Sequence, residues 1–341
     1  MKILIINPSL WIYGGAERVI VKLANYLTDK HHEVSIICYE LCDEVRNALK
    51  EARIIKCDSL EHLNYFVQEI IPDFDVINIH NEPGYMMTYP RRAKVVWMCN
   101  EPPHLQNPEP KDLEKQMVKN FKVIVADQFN KERIDKLYNV DSKIIHYGID
   151  YEFFKKQNTK KFDDFTLIQV GFIADNKNQL RTIEIFKKLK EKIPNAKLKL
   201  VGKATSYLNQ VRAKIEEYNL KSDIEIIDFS DRENVKVLYH KCHAAIFPVK
   251  SQGSWLSPFE AMSAGLPVFI SEEATCSSVF VENDVGYVCK TDDDFVKYIL
   301  EEKENKRAEN SKWVKDNLSW DKFSEKMLEV FNAYRISKPN E

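Results

Sequence analysis

The sequence predicts an α/β protein built from two successive doubly wound parallel sheets. Three observations point there. Strand and helix periodicity alternate along nearly all of the 341 residues. The alternation lapses once, over residues 150–164, where a stretch rich in Lys and Asp reads as a linker. The few glycines stand mostly at junctions between elements. The length also suits two domains of about 150 residues better than one.

In the first half, strand-like runs occupy residues 2–7, 33–39, 53–56, 75–80, 94–99, 122–126 and 143–147. Amphipathic stretches lie between several of them. One spans residues 15–30 and carries Val19, Leu23, Ala24 and Leu27 on one side at helical spacing. After the linker, strands are expected at 166–172, 197–201, 224–227, 244–249, 267–270 and 286–289, with helices between them. The tail over 312–334 reads as helix, with Trp313, Val314, Leu318, Phe323, Met327, Leu328 and Phe331 as its apolar positions. Domains are therefore placed at 1–150 and 151–318. In sheets of this kind ligands sit beyond the carboxyl ends of the strands, so those ends hold the candidate residues.

Composition bounds the function. Hydrophobic residues make up 44% and charged residues 30%, enough apolar mass for packed cores and against disorder. Fifty Lys and Arg against 52 Asp and Glu leave a net charge of −2, so no basic field invites nucleic acid. Apolar runs such as Ile3-Leu4-Ile5-Ile6 are strand-sized, too short to span a bilayer. Residues 2–7 read as a strand rather than a secretory h-region, so no leader is expected, and the seven cysteines lack any C-x-x-C spacing and read as reduced and mostly buried. A cytoplasmic protein is expected, with scope for peripheral contact with a membrane. Nine glycines stand where average usage of about 7% would give roughly 24.

Gly14-Gly15-Ala16-Glu17-Arg18 opens the first helix, and such a start can offer backbone N–H groups to phosphate. It is an ordinary loop turn on the alternative reading, and it is not the G-x-G-x-x-G of a nicotinamide enzyme. Glu40, at the end of the second strand, imitates a ribose-binding acid only weakly without that fingerprint. In the second half, Val170-Gly171-Phe172-Ile173-Ala174-Asp175-Asn176-Lys177 leads from strand to helix. Lys177 suits a cation facing a diphosphate, or a solvated lysine among many. The stretch Gln252-Gly-Ser-Trp-Leu-Ser-Pro-Phe-Glu260 follows a buried strand and starts a short helix. Ser257 suits its N-cap, Pro258 its first position and Glu260 its third, a capping box that would account for Ser-x-x-Glu. It would not account for the loop from Gln252 to Leu256.

Together these segments resemble the retaining glycosyltransferases of family 4, which have the GT-B fold. The run from Gln252 to Val268 resembles the family's E-x-F-G-x-x-x-x-E-A-M-A-x-G-x-P-V. The glycine pair resembles its glycine loop, and Asp75-Val-Ile-Asn-Ile-His80 its D-x-x-x-x-H strand. Tyr147-Gly148-Ile149-Asp150 resembles its N-G-V-D, and the run from Gly171 to Asn178 its G-R-L-x-x-x-K-N. The resemblance implies two facing Rossmann-like domains around an interdomain cleft, with an acceptor domain first and a nucleotide-sugar donor domain second. It further implies that a terminal helix, about 319–341, packs back onto the first domain. Donor contacts would fall to Gly14, Gly15, Gly171, Lys177, Gly253, Ser254, Trp255, Leu256 and Glu260, with Glu260 on the ribose hydroxyls and loop amides around the diphosphate. Lys177, Gln252 and Asn100 would form the catalytic set. The implied chemistry is sugar transfer from a nucleotide-diphosphate sugar to a glycan, lipid-linked or other hydroxyl acceptor, without a cofactor or metal. Asp292-Asp293-Asp294, which could suggest a metal, reads instead as the first turn of a helix.

Three positions depart from the family pattern. Gln252 stands where the first glutamate is expected, and it keeps hydrogen bonding but brings no charge. Phe172 replaces the arginine of G-R-L. Losing one charge-assisted hydrogen bond, about 1.5–3 kcal/mol, would cost roughly 10- to 100-fold unless another cation such as Lys250 or Lys203 compensates. Asn100, within Trp97-Met-Cys-Asn-Glu-Pro-Pro103, replaces a histidine that in the family contacts the donor sugar. Glu101 and His80 are the acceptor-side candidates. Each also reads as structural, Glu101 as a loop residue and His80 as a hydrogen-bonded strand end. Arg91-Arg92-Ala93-Lys94 is a small basic cluster, too short to mark an anionic surface by itself. A binding protein that does not turn its ligand over, and a nucleotide-sugar epimerase, stay open beside the transferase.

Overall fold

A computed structural model describes residues 1–81, 94–100, 112–228, 231–250, 255–302 and 304–335 of the chain. Two compact units divide it. The first comprises Met1–Gly148 and the helix that begins at Trp320, the second Ile149–Ser319.

The first unit's strands are β1 (Lys2–Ile6), β2 (Ser9–Leu10), β3 (Glu33–Cys38), β4 (Glu40–Leu41), β5 (Arg53–Lys56), β6 (Val76–His80), β7 (Val95–Cys99), β8 (Lys122–Val125) and β9 (Lys143–Ile144). Its helices before the crossing are α1 (Gly15–Asp29), α2 (Asp43–Ala48), α3 (Leu60–Ile70), α4 (Asp112–Val118) and α5 (Gln128–Tyr138). Seven strands form one sheet in the order β5-β3-β1-β6-β7-β8-β9, every pair parallel. The short β2 and β4 pair separately. Apart from these two, the order by appearance is 3-2-1-4-5-6-7, with the direction of winding reversing between β1 and β6. That reversal opens a crevice at the carboxyl ends where ligands settle in doubly wound sheets.

The strands are nearly all apolar because helices cover both faces. Ile3 to Ile6 are buried, and so is every residue of β6 and β7. On α1 the predicted stripe of Val19, Leu23, Ala24 and Leu27 is buried.

The second unit continues with α6 (Tyr151–Phe154), β10 (Thr166–Val170), α7 (Gln179–Lys190), β11 (Lys197–Val201), α8 (Leu208–Glu217), β12 (Ile224–Ile227), α9 (Arg232–Lys241) and β13 (Ala244–Phe247). It ends with α10 (Leu256–Ser263), β14 (Val268–Ser271), α11 (Ser277–Asn283), β15 (Tyr287–Cys289), α12 (Asp292–Glu301) and α13 (Glu304–Asn317). Its six strands are parallel in the order β12-β11-β10-β13-β14-β15, again 3-2-1-4-5-6 by appearance. The reversal here lies between β10 and β13. Helix α14 (Trp320–Tyr334) then returns to the first unit and packs on α1 and β7.

Two expectations need correction. The linker over 150–164 is not without structure, since it begins with α6. Phe154 is buried there against Tyr239, and His240 Nε2 lies 3.1 Å from the carbonyls of Phe154 and Lys155. Four residues are too few to show helical periodicity, so tertiary packing defines this turn. The tail is two helices rather than one, broken at Leu318 and Ser319. The Leu318 carbonyl there accepts from the Ile149 N–H at 2.8 Å.

The acidic run behaves as a helix start. Thr291 caps α12, the Asp294 carboxylate returns to the Thr291 N–H, Asp292 pairs with Arg181 and Asp293 with Lys188. The seven cysteines are free thiols, all buried except the half-buried Cys42.

Candidate functional site

At the carboxyl end of β10 the chain passes through Gly171, with φ of +151°, into a single 3₁₀ turn over Asp175–Lys177. The stem of Lys177 lies over Gly171, its side-chain carbons 3.8 Å from where a Cβ would sit. The Gln169 side chain, buried in β10, donates to the Lys177 carbonyl at 2.7 Å and holds the turn against the strand. Asn178 is left-handed, with φ of 56°, and α7 starts from it. The turn is also tied across the reversal. The Lys250 N–H, beyond the end of β13, donates to the Asn176 carbonyl at 3.2 Å, and Lys250 Nζ pairs with Asp175 at 2.5 Å. The segment bearing Lys177 and the strand end leading toward α10 are therefore joined at one sheet edge.

Helix α10 starts two residues earlier than expected. Its N-cap is Trp255, without a side-chain cap, so the capping box of Ser257 and Glu260 does not form. The helix is buried nearly all round rather than on one stripe, and burial decides its start where capping chemistry would have chosen Ser257. Trp255 and Phe259 pack at 4.8 Å, and Phe259 meets Phe280 at 5.3 Å and Trp313 at 6.0 Å. Glu260 is only 4% exposed and one turn into the helix, beside the loop that enters it.

Of the remaining donor-side candidates, Gln252, Gly253 and Ser254 lie outside the described residues, as does Glu101, and so do Arg91 and Arg92. Trp255 and Leu256 are described, and both are buried at the start of α10. Phe172 is 39% exposed beside Gly171. In the segment after β12, the Asp228 carboxylate accepts from the Ala204 N–H at 2.9 Å. Arg232 turns to Asp150, 2.6 Å away, over the Phe153 ring.

In the first unit, Gly14 caps α1 and its N–H donates to the Glu17 carboxylate at 3.1 Å, so the glycine pair already carries an anionic partner. Glu40 accepts from the Ser9 hydroxyl, a local contact between the short strands. At the reversal between β1 and β6, His80 and Asn100 belong to one network. His80 is fully buried, with Nε2 2.9 Å from Asn78 Oδ1 and Nδ1 3.1 Å from Asn100 Nδ2. Asn100 Nδ2 also donates to Asn81 Oδ1 at 3.1 Å, and its own Oδ1 accepts from the Tyr147 hydroxyl at 2.9 Å. Burial pushes the His80 imidazole down to about 3, so it is neutral at ordinary pH. Sequence reasoning treated His80 and Asn100 as separate candidates and overlooked Asn7, Asn81 and Tyr147. The clustering of asparagines at strand ends was the available signal.

No helix among the described residues is long and apolar enough to cross a membrane, and no group of three or more metal-ligating side chains gathers among them.

Comparison with known proteins agrees with this architecture. The profile described as Glycosyl transferases group 1 matches residues 150–320, and that of Glycosyltransferase Family 4 matches residues 13–153. An uncharacterized glycosyltransferase of Bacillus subtilis, YqgM, is 24% identical over 51% of this chain and 48% of its own. The O-antigen chain mannosyltransferase RfbU of Salmonella typhimurium is 28% identical over 46% of this chain and 44% of its own. The chain thus spans about half the length of the curated relatives it matches. Among solved structures, Anabaena Alr3699/HepE in complex with UDP and glucose superposes with a TM-score of 0.81 at 15% identity, covering 98% of this chain and 100% of that one. Such a likeness speaks for the fold. With two sheets of 3-2-1-4 winding and two matching profiles that run from residue 13 to residue 320, the chain belongs to the group 1 glycosyl transferases, family 4, of the GT-B fold.

Proposed function

We propose that this protein transfers a sugar from a nucleoside diphosphate sugar to a hydroxyl of a glycan or lipid-linked acceptor, with retention of anomeric configuration. The second unit binds the donor and the first receives the acceptor. One observation carries this reading. The turn bearing Lys177 is tied through Asn176 and Lys250 to the strand end that leads toward α10 and Glu260, all at the carboxyl edge where the winding reverses.

In this reading the Lys177 ammonium and the main-chain N–H groups entering α10 neutralise the departing diphosphate, and Glu260 accepts from the ribose hydroxyls. The acceptor oxygen attacks the anomeric carbon on the face from which the phosphate leaves. The carbon–phosphate oxygen bond breaks as the new glycosidic bond forms, and the acceptor's proton passes to the leaving phosphate. Stabilising that leaving group is the main demand on the protein, so neither a side-chain nucleophile nor a metal is called on. The UDP and glucose held by the Anabaena protein and the mannosyl transfer ascribed to RfbU support a sugar nucleotide as donor.

A panel of nucleoside diphosphates and their sugars, screened by thermal shift and then by product analysis, tests the proposal. A ligand should raise the melting point by mass action, and turnover should yield free nucleoside diphosphate and an α- or β-linked product matching the donor. Tight binding without transfer to any acceptor would make the chain a binding protein. An altered sugar nucleotide without acceptor would make it an epimerase.

A further inference from the structure

Three buried polar side chains of the second unit gather around the turn that carries Lys177. Gln169, on β10, is 2% exposed, Gln179, the first residue of α7, is 1% exposed, and Thr182, about one turn further along, is fully buried. Gln169 stands two residues beyond Leu167, on the strand face that packs with Ile183 and Phe186 of α7. A core position of that kind suits an aliphatic side chain. A buried amide lowers stability unless its hydrogen bonds are met. Here they are met, and they lead to the turn.

Gln169 Nε2 donates to the Lys177 carbonyl at 2.7 Å, and its Oε1 accepts from the Thr182 hydroxyl at 2.7 Å. A carbonyl only accepts, so the Gln169 amide has one orientation, and the Thr182 proton points to it. Gln179 Nε2 donates to the Phe172 carbonyl at 2.9 Å, and its Oε1 accepts from the Ala174 N–H at 3.3 Å. Between these two residues, the Ile173 carbonyl accepts from the Thr205 hydroxyl at 2.7 Å. The Lys177 and Asn178 N–H groups then close the turn on the Ala174 carbonyl, at 3.0 and 3.3 Å. Two side-chain amides thus hold both ends of the segment, Gln179 where it leaves Gly171 and Gln169 where it reaches Lys177. These bonds add nothing to the sheet ladder. What they fix is the course of the main chain from Gly171 to Lys177.

We propose that Gln169 and Gln179 are positioning residues for Lys177, with Thr182 orienting Gln169. The two amides preorganise the turn, so the main chain of Lys177 has its place before a ligand arrives. A diphosphate then meets the ammonium without a loop having to order around it. This rests on the reading that Lys177 meets the diphosphate.

Two experiments test it. In the ligand-free protein, amide hydrogen exchange is compared between the parent and Gln169→Met, which keeps the side chain's length and removes both polar atoms. The Lys177 and Asn178 amides should exchange about tenfold faster in the variant, with those of β11 unchanged. Gln179→Met should do the same for the Ala174 amide, which loses its acceptor. Exchange unchanged at the turn, or faster across the whole unit, overturns the proposal. Should Gln169→Met fail to fold, Thr182→Val is the milder change and should speed the same two amides, while Thr182→Ser should not.

The second experiment is a double-mutant cycle, read as affinity for uridine, guanosine and adenosine diphosphates by calorimetric titration. Lys177→Ala should weaken binding by about tenfold or more, and Gln169→Met by about fivefold. Added to Lys177→Ala, Gln169→Met should cost less than about twofold, because a residue acting through Lys177 has nothing left to position. An equal loss in both backgrounds makes Gln169 a structural residue and overturns the proposal while the transferase reading stands. Unchanged affinity in Lys177→Ala removes Lys177 from the diphosphate, and the positioning role goes with it. If no nucleoside diphosphate binds the unaltered protein, the transferase reading itself fails and the positioning role falls too.

Discussion

Gly202 closes on Gly171 so tightly that a Cβ on Gly202 would lie 2.0 Å from the Gly171 carbonyl oxygen. The two residues end the neighbouring strands β11 and β10, each with positive φ, 148° and 151°. Neither the backbone angle nor the space admits a side chain, and the oxygen in the way belongs to the main chain and cannot rotate aside. Gly202→Ala should destabilise the second unit by about 2–4 kcal/mol and lower nucleotide affinity by shifting the turn that bears Lys177. Urea unfolding checks the first effect and a binding titration the second. A variant as stable as the parent would contradict the geometry.

Lys177→Ala and Glu260→Ala should each leave the fold cooperative and cut turnover sharply. For the lysine the loss corresponds to one charge-assisted contact with the diphosphate, about 10- to 100-fold or more in kcat/KM. Steady-state kinetics beside a thermal melt separate this from unfolding. Turnover should also survive an excess of chelator, and its abolition by chelator with restoration by a divalent cation would refute the metal-free part of the proposal.

Phe172, exposed where the family pattern has arginine, offers a gain-of-function test. Phe172→Arg adds a cation next to Gly171 at a site that does not rely on burial. Affinity for a nucleoside diphosphate should rise by about threefold to tenfold, less than a fully desolvated contact would give. Calorimetric titration of both proteins decides it.

The buried imidazole of His80 makes stability sensitive to acid. Its folded pKa, about 3, lies below the unfolded value of 6.5, so the unfolded chain binds the extra proton first. The contribution is fully present above pH 6.5 and is lost as pH falls toward 3. His32 and His240 are shifted downward by burial as well and act in the same direction. Between pH 6.5 and 4.5, before most carboxylates titrate, His80 alone should cost on the order of 2 kcal/mol. Unfolding curves across that window should be steeper in pH for the parent than for His80→Gln, even if the variant starts from a lower stability at neutral pH.

Arg232 should tolerate lysine poorly. Its guanidinium reaches Asp150 at 2.6 Å while lying 4.6 Å from the centre of the Phe153 ring, a pairing and stacking that an ammonium cannot reproduce together. Arg232→Lys should cost about 1 kcal/mol and Arg232→Ala about 2 kcal/mol, the half-exposed arginine keeping both values modest. Equilibrium unfolding in low and high salt would measure both the cost and its electrostatic share.

Short windows of the chain encode the sheets, the helix stripes and the strand-end turns. Alternating periodicity laid out both sheets, the apolar stripe of α1 was legible at Val19, Leu23 and Leu27, and glycines marked the strand ends at Gly171 and Gly202. The run Asp292-Asp293-Asp294 marked the start of α12, because acidic residues in a first turn are a local signal, and Thr291 with Asp294 forms the capping box there. The same logic failed at Ser257, since the aromatic packing of Trp255 and Phe259 against Phe280 and Trp313 outweighed a cap worth about 1 kcal/mol. Helix α6 was hidden for a related reason, being one turn held by contacts to α9. Only the tertiary structure could decide the state of Asn100. Its partners His80, Asn81 and Tyr147 stand 20, 19 and 47 residues away, and Asn7, which accepts from Asn81, lies 74 residues from it. Which way an amide faces is settled by groups that meet only after parallel strands have crossed over helices to lie side by side, and no local pattern carries that information.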